Sequence, residues 1–137
     1  MVGQIQQAKE IVPVFPLPNV VFFPHTLLPL HIFEPRYRKM VQDVMSSNQK
    51  ICMVLLKEGW EKGYFENPPI YSIGCVGRIE KCEELTDGRF NIFLQGLYKL
   101  KIEGEVDRDE AYRMVTGTPI KEEQFSFAPQ AMAEKTH

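Results

Sequence analysis

Six of the chain's ten prolines fall between Pro13 and Pro35, and that crowding constrains the fold more than any other feature. Pro13, Pro16, Pro18, Pro24 and Pro29 cut the apolar stretch that starts at Ile11 into short runs, and Pro35 follows directly. Proline fixes φ and has no amide proton to give to a sheet. Each one therefore marks a strand start, an edge or a bend. Ile11 to Phe15 reads as a first strand stopped by Pro16 and Pro18, Val20 to Phe23 as a short apolar run, and Leu27 to Ile32 as a second strand.

Pro35 then opens a helix, at the position where a missing N–H costs nothing. Glu34 places negative charge at the positive end of the helix dipole. Tyr37, Met40, Val41, Val44 and Met45 recur three and four apart and form one apolar stripe. Ser46-Ser47-Asn48 ends the helix, with Asn48 suited to the left-handed C-terminal position. Arg36-Tyr37-Arg38-Lys39 is the densest basic run. It reads as the solvated helix face with Glu34 and Arg38 paired at i,i+4, in preference to a grip for phosphate.

Ile51 to Leu56 is continuously apolar, as in a strand covered on both faces. Lys57 to Ile70 holds Gly59, Gly63 and Pro68-Pro69 and reads as a long loop, a feature often tied to function. Ile73, Val76, Ile79, Cys82 and Leu85 are three apart, which by itself suggests a helix. Gly74 and Gly77 oppose that, and Asp87-Gly88 between apolar segments signals a hairpin. A two-residue turn would set Ile92 and Leu94 against Glu83 and Lys81, so a bulge or a longer loop is expected. On the return arm Phe90, Ile92, Leu94, Tyr98, Leu100 and Ile102 share one face, with Asn91, Gln95, Lys99, Lys101 and Glu103 on the other. Gly96 interrupts the arm where a strand can bend at a barrel corner. Ala111 to Ile120 reads as a last strand.

A chain of 137 residues suits one domain, and folding at this length buries about two thirds of its surface. A net charge of −2 argues against a nucleic-acid domain, which usually carries a strongly basic face. No apolar run reaches the length of a membrane span, and the start, MVGQIQQAKE, lacks a signal-peptide layout. Cys52, Cys75 and Cys82 are odd in number and form no CxxC, which points to a reducing cytoplasm.

Chemistry is hard to find. No GxxxxGK[ST] phosphate loop and no GxSxG elbow occurs. Ser46, Ser47, Ser72 and Ser126 have no histidine near them in the sequence to act as an oriented base. His25 and His31 are six apart, Cys75 and Cys82 seven apart, and zinc ligands usually pair two to five apart. No catalytic residue, metal site or cofactor is therefore expected. The loop Glu58-Gly59-Trp60-Glu61-Lys62-Gly63-Tyr64-Phe65 is the strongest binding candidate, because aromatic anchors dominate interface energetics. Trp60, Tyr64 and Phe65 are the candidate contact residues. Trp60 and Phe65 fit equally well as a lid on the core, and both readings stay open.

The ordered series PVFPLPNVVFFP, LLPLHIFEPRYRKMV, MVLLKEGWE and IYSIGCVGRIEKCEELTDGRFNIFLQGLYKLKI resembles the amino-terminal domain of Lon proteases, above all stand-alone Lon-domain proteins without ATPase and protease modules. The resemblance spans about Ile11 to Glu123. It implies a mostly β (α+β), PUA-like pseudo-barrel of short twisted sheets with one main helix, and a strand at Ile73 to Leu85. Residues 1–10 then read as a lead-in, 11–123 as the domain and 124–137 as a tail or linker. Lon-like proteins usually add a helical segment after the barrel, for which this sequence leaves no room; a natural short form and a fragment both fit. The implied role is non-catalytic binding of unfolded polypeptides or protein partners in protein quality control. PUA-like folds also include RNA and small-ligand binders, which form the alternative.

Overall fold

The computed structural model describes residues 8–19, 22–63, 68–108 and 111–121. Its strands are β1 (Glu10–Leu17), β2 (Leu27–Ile32), β3 (Lys50–Leu55), β4 (Ile73–Glu84), β5 (Phe90–Val106) and β6 (Met114–Pro119), with one α-helix, α1 (Pro35–Met45). β1 pairs with β3 in parallel; β3–β4, β4–β5, β5–β6 and β6–β1 are antiparallel. Those five pairings return to their starting strand, so the sheet closes into a five-stranded barrel. β2 lies outside the ring, paired with the first part of β5 from Phe90 to Gln95. The expected mostly β pseudo-barrel with one main helix is thus the architecture observed.

Two cores follow from the closure. Val12, Val14, Cys52, Val54, Val76, Leu100 and Val115 fill the barrel interior. Tyr37, Met40, Val41 and Val44 of α1 pack with Ile32, Ile51, Met53, Ile79, Ile92 and Leu94 in a second core on the barrel's outer wall. β3 is buried on both faces, with Ile51 and Met53 turned to the helix and Cys52 and Val54 to the barrel. That is why its sequence is apolar without alternation.

β5 belongs to both cores. Phe90, Ile92 and Leu94 join the helix core, whereas Leu100, with Tyr98 and Ile102 beside it, joins the barrel. The change of allegiance occurs at Gly96, where the ladder to β4 skips from Gly77↔Gly96 to Val76↔Tyr98. The hairpin joining β4 to β5 has both a longer loop and a bulge. Residues 85–89 form the loop, closed by Gly88 N–H to Leu85 O and Leu85 N–H to Arg89 O. Gly88 takes φ +92°, which suits glycine. The register shift between Ile79 and Lys81 sets Cys82 opposite Ile92 and Ile79 opposite Leu94, so apolar residues face one another.

Several sequence expectations are corrected. β1 continues through Pro16 to Leu17 instead of stopping. The Val14 amide points to Arg113 O; Pro16, two residues on, turns its nitrogen to the same side, beyond the last β1–β6 pair at Pro13↔Met114. No ladder bond is lost there. The last strand is shorter than Ala111–Ile120, because the continuous ladder with β1 and β5 runs only over Met114–Pro119, with one bond beyond each end at Arg113 and Ile120. Gln49, not Asn48, takes the left-handed conformation after the helix (φ +65°). The chain makes one further turn, and Asn48 Oδ1 accepts from Lys50 N–H instead. Glu34 pairs with Arg36 (3.3 Å), while Arg38 donates to Asp87 O across to the hairpin (3.2 Å).

Candidate functional site

The Gly96 corner shapes the surface beside it. An added Cβ at Gly96 would lie 2.2 Å from Phe23 O and 3.1 Å from Pro24 Cα, so the segment before β2 runs against bare backbone. His25 N–H donates to Gly96 O (2.9 Å), and Gly96 N–H donates to Thr26 O (2.8 Å). Thr26 folds back on Phe23 O with its hydroxyl (2.7 Å) and its amide (3.3 Å). Successive residues in extended chain point opposite ways. Phe22 therefore enters the core at 8% exposure while Phe23 stands out at 51%.

Phe23 forms one wall of a groove of about 180 Å3, and Ile73, 52% exposed at the start of β4, forms another. Met53, Leu55 and Cys75 also line it. Lys99, paired with Cys75 across the ladder, stands at the margin. Tyr71, 47% exposed, adjoins the end near Leu55, to whose carbonyl its amide donates (3.0 Å). Small-molecule sites usually enclose about 300–1,000 Å3. This groove is smaller and suits one or two apolar side chains of a larger molecule.

The long loop leaves the sheet at Leu56 and re-enters at Ile70, which form a bridge, and Lys57 N–H donates to Pro69 O. Arg113 fastens the returning limb through Pro68 O (2.8 Å). Trp60 is half-buried and begins a short 3-10 turn, Trp60–Gly63. Tyr64 and Phe65 lie outside the described residues. The base of the loop thus borders the groove through Leu55 and Tyr71.

A larger, more polar cleft of about 560 Å3 lies between the C-terminal half of α1 and the approach to β6. Asp43 sits in it, with Lys39 Nζ at 2.9 Å and the Tyr112 hydroxyl donating at 2.6 Å. The Lys39 bond, then the Tyr112 bond, hold its carboxyl below the usual carboxylate range despite some burial. This arrangement ties the helix to the barrel and offers no nucleophile.

Several other polar side chains serve the fold. Ser46 and Ser47 donate to carbonyls at the end of α1. Ser126 lies outside the described residues. Burial pushes the Cys75 thiol up to about 11 and the Cys52 thiol further still, which keeps both as neutral packing groups. Burial, and then the carboxylate of Glu10 beside it, raise the Tyr98 hydroxyl, which donates to Glu10 Oε1 at 2.6 Å. His31 bridges Asn91 (2.7 Å) and Arg89 (3.2 Å) on the surface. Among the described residues no three His, Cys, Asp or Glu side chains gather as metal ligands would.

Sequence reading found the loop but not Phe23, Ile73 or Tyr71. A weak signal existed in the Phe22-Phe23 pair, since neighbours in extended chain cannot both be buried on one side.

The chain is a closed five-stranded barrel with a helix on its outer wall and a small, largely apolar groove beside the Gly96 corner. The family model for the ATP-dependent protease La (LON) substrate-binding domain matches residues 11–136, and the chain belongs to that family. Over 100 residues it is 31% identical to a Lon protease of Dictyoglomus thermophilum, an alignment covering 73% of this chain and 12% of that protein. A Lon protease of Desulfosudis oleivorans is 26% identical over 107 residues, 78% of this chain and 13% of the relative. The chain thus spans about an eighth of the length of these relatives, and the match falls on the substrate-binding module, not on protease or ATPase parts. The fold is also similar to the Lon N-terminal domain protein from Xanthomonas campestris (TM-score 0.65, 20% identity, 92% of this chain and 73% of that one). It is likewise similar to the N-terminal domain of Mycobacterium avium complex Lon protease (TM-score 0.62, 15% identity, 92% and 69%). No described helix is long and apolar enough to cross a membrane.

Proposed function

We propose that this chain is a non-catalytic module that holds exposed apolar segments of unfolded polypeptides or protein partners, in the service of protein quality control. The observation that carries this reading is the Phe23–Ile73 groove: two large apolar side chains, each about half exposed, held apart over an apolar floor by a rigid barrel wall. Contiguous apolar surface rimmed by polar groups marks interaction sites. Trp60, Tyr64 and Phe65 of the loop are proposed as further aromatic contacts for the same polypeptides. Membership of a substrate-binding family supports the same reading.

The alternative of a small-ligand or RNA-binding module has less support. Arg36, Arg38 and Lys39 are engaged with Glu34, Asp87 O and Asp43. In the polar cleft Lys39 is paired with the Asp43 carboxylate, which also faces Arg108, so its cations already have an anionic neighbour. Three free thiols, two of them buried, accord with a reducing compartment such as the cytoplasm.

Titration of a fluorescent, permanently unfolded protein and of an RNA pool tests the proposal. The polypeptide should bind, and Phe23→Ala or Ile73→Ala should weaken it about three- to thirtyfold, as truncated anchors do, with melting temperature nearly unchanged. Binding of RNA alone, or polypeptide binding indifferent to both substitutions, overturns it.

A further inference from the structure

Among the described residues, the charge at the groove's margin is mainly positive. Lys99 stands at its margin, and Lys101 lies across the β4–β5 ladder from Ile73, which forms one wall. Lys57 reaches over the Tyr71 ring at 5.7 Å from its centroid, at the opposite end. None of the described groove-lining residues carries a carboxylate. Glu103, two residues beyond Lys101 on the same strand, is already engaged by Lys9 (3.3 Å) and the Thr118 hydroxyl (3.2 Å). Lys99 thus lines the trough, Lys101 neighbours its Ile73 wall and Lys57 stands by Tyr71 near Leu55.

From this we infer that the groove selects apolar polypeptide segments that carry acidic residues next to the apolar side chain, with Lys57, Lys99 and Lys101 as the specificity-determining residues. The inference rests on the polypeptide-binding reading above. The physical basis is division of labour. Apolar contact with Phe23 and Ile73 provides the adhesion and is blind to sequence. Charges at the rim stay hydrated, add little affinity each, and act mainly on encounter rate and partner choice. A lysine-flanked trough attracts Asp- and Glu-bearing segments and disfavours Lys- and Arg-bearing ones, since like charges across an interface are penalised. Groove volume limits the apolar part to one or two side chains, so the acidic residues fall within reach of the rim.

Three labelled peptides with the same central Phe-Leu pair test this: one flanked by Asp, one by Asn, one by Lys, all with amidated C-termini. The Asp peptide should bind the full chain about three- to tenfold more tightly than the Asn peptide, and the Lys peptide more weakly than both. The difference should shrink between about 0.01 M and about 0.15 M salt, as the screening length falls from about 30 Å to about 8 Å. A Lys99→Gln/Lys101→Gln variant should lose the preference while still binding the Asn peptide. Lys81→Gln, elsewhere on the barrel wall, should keep it. Equal binding of the three peptides refutes the charge selection but leaves the polypeptide-binding reading intact; no binding of any peptide refutes both. The same peptides left unamidated complete the test: a preference seen only with their free C-terminal carboxylate also overturns the inference, because the rim would then read chain ends.

Discussion

Gly96→Ala isolates the contact on which both the fold and the groove depend. The new methyl carbon would stand 2.2 Å from Phe23 O, 3.0 Å from Phe23 C and 3.1 Å from Pro24 Cα. These are backbone atoms, which no rotamer change can move. The 22–26 segment must back away, and the two hydrogen bonds it shares with Gly96 stretch or break. Each is worth about 1 kcal/mol net. Phe22, anchored in the helix core, is drawn partly out with the segment, which costs on the order of 1–2 kcal/mol, part of the value of a fully buried aromatic. The total is about 3 kcal/mol, at the upper end of overpacking penalties. Gly104→Ala on the same strand is the matched control, because its new methyl would meet only Thr116 Oγ1 at 3.6 Å, an ordinary contact. It should be neutral or stabilising by about 0.5 kcal/mol through the unfolded chain. Urea denaturation reads both. With a slope of about 1.5 kcal/mol per molar for a chain of this size, Gly96→Ala should lower the midpoint by about 2 M. The displaced Phe23 should also weaken polypeptide binding per folded molecule. A Gly96→Ala midpoint equal to that of Gly104→Ala would refute the close-approach argument.

Trp60→Ala separates two roles for the loop: as an anchor it should weaken polypeptide binding by about 1–2 kcal/mol with little change in melting temperature, whereas loss of stability with unchanged affinity per folded molecule would make it a core lid. Asp43 has a lowered carboxyl pKa in the folded state, so its contribution is complete above the unfolded value of about 3.9 and disappears as pH falls through the folded one. Asp43→Asn should therefore flatten the acid limb of the stability profile, and an unchanged acid limb would remove the Lys39–Tyr112 account. A thiol reagent should label half-buried Cys82 first and reach Cys52 and Cys75 only on unfolding, since burial raises both thiols and covers them; prompt labelling of Cys52 in the native protein would contradict the barrel interior.

The sequence alone determined the local elements, because local patterns encode local geometry. The bounds of β2 and α1, the two-sided burial of β3 and the β4–β5 hairpin follow from apolar periodicity, from Pro35 and from Asp87-Gly88. Gly96 was legible as a special position, and the ordered motifs were enough to indicate the family. Tertiary structure decided what depends on partners distant in sequence. Pro16 could remain in β1 only because β6 ends before it, and Glu34 lost Arg38 to the carbonyl of Asp87, far along the chain. The groove is the clearest case. Phe23, Ile73 and Lys99 are separated by about fifty and twenty-six residues, and they meet because the barrel closes and β5 turns from one core to the other at Gly96. No periodicity along one strand records which side chains a closed ring leaves uncovered. That depends on where the ring's outer wall is masked by α1 and β2 and where it is left to face solvent.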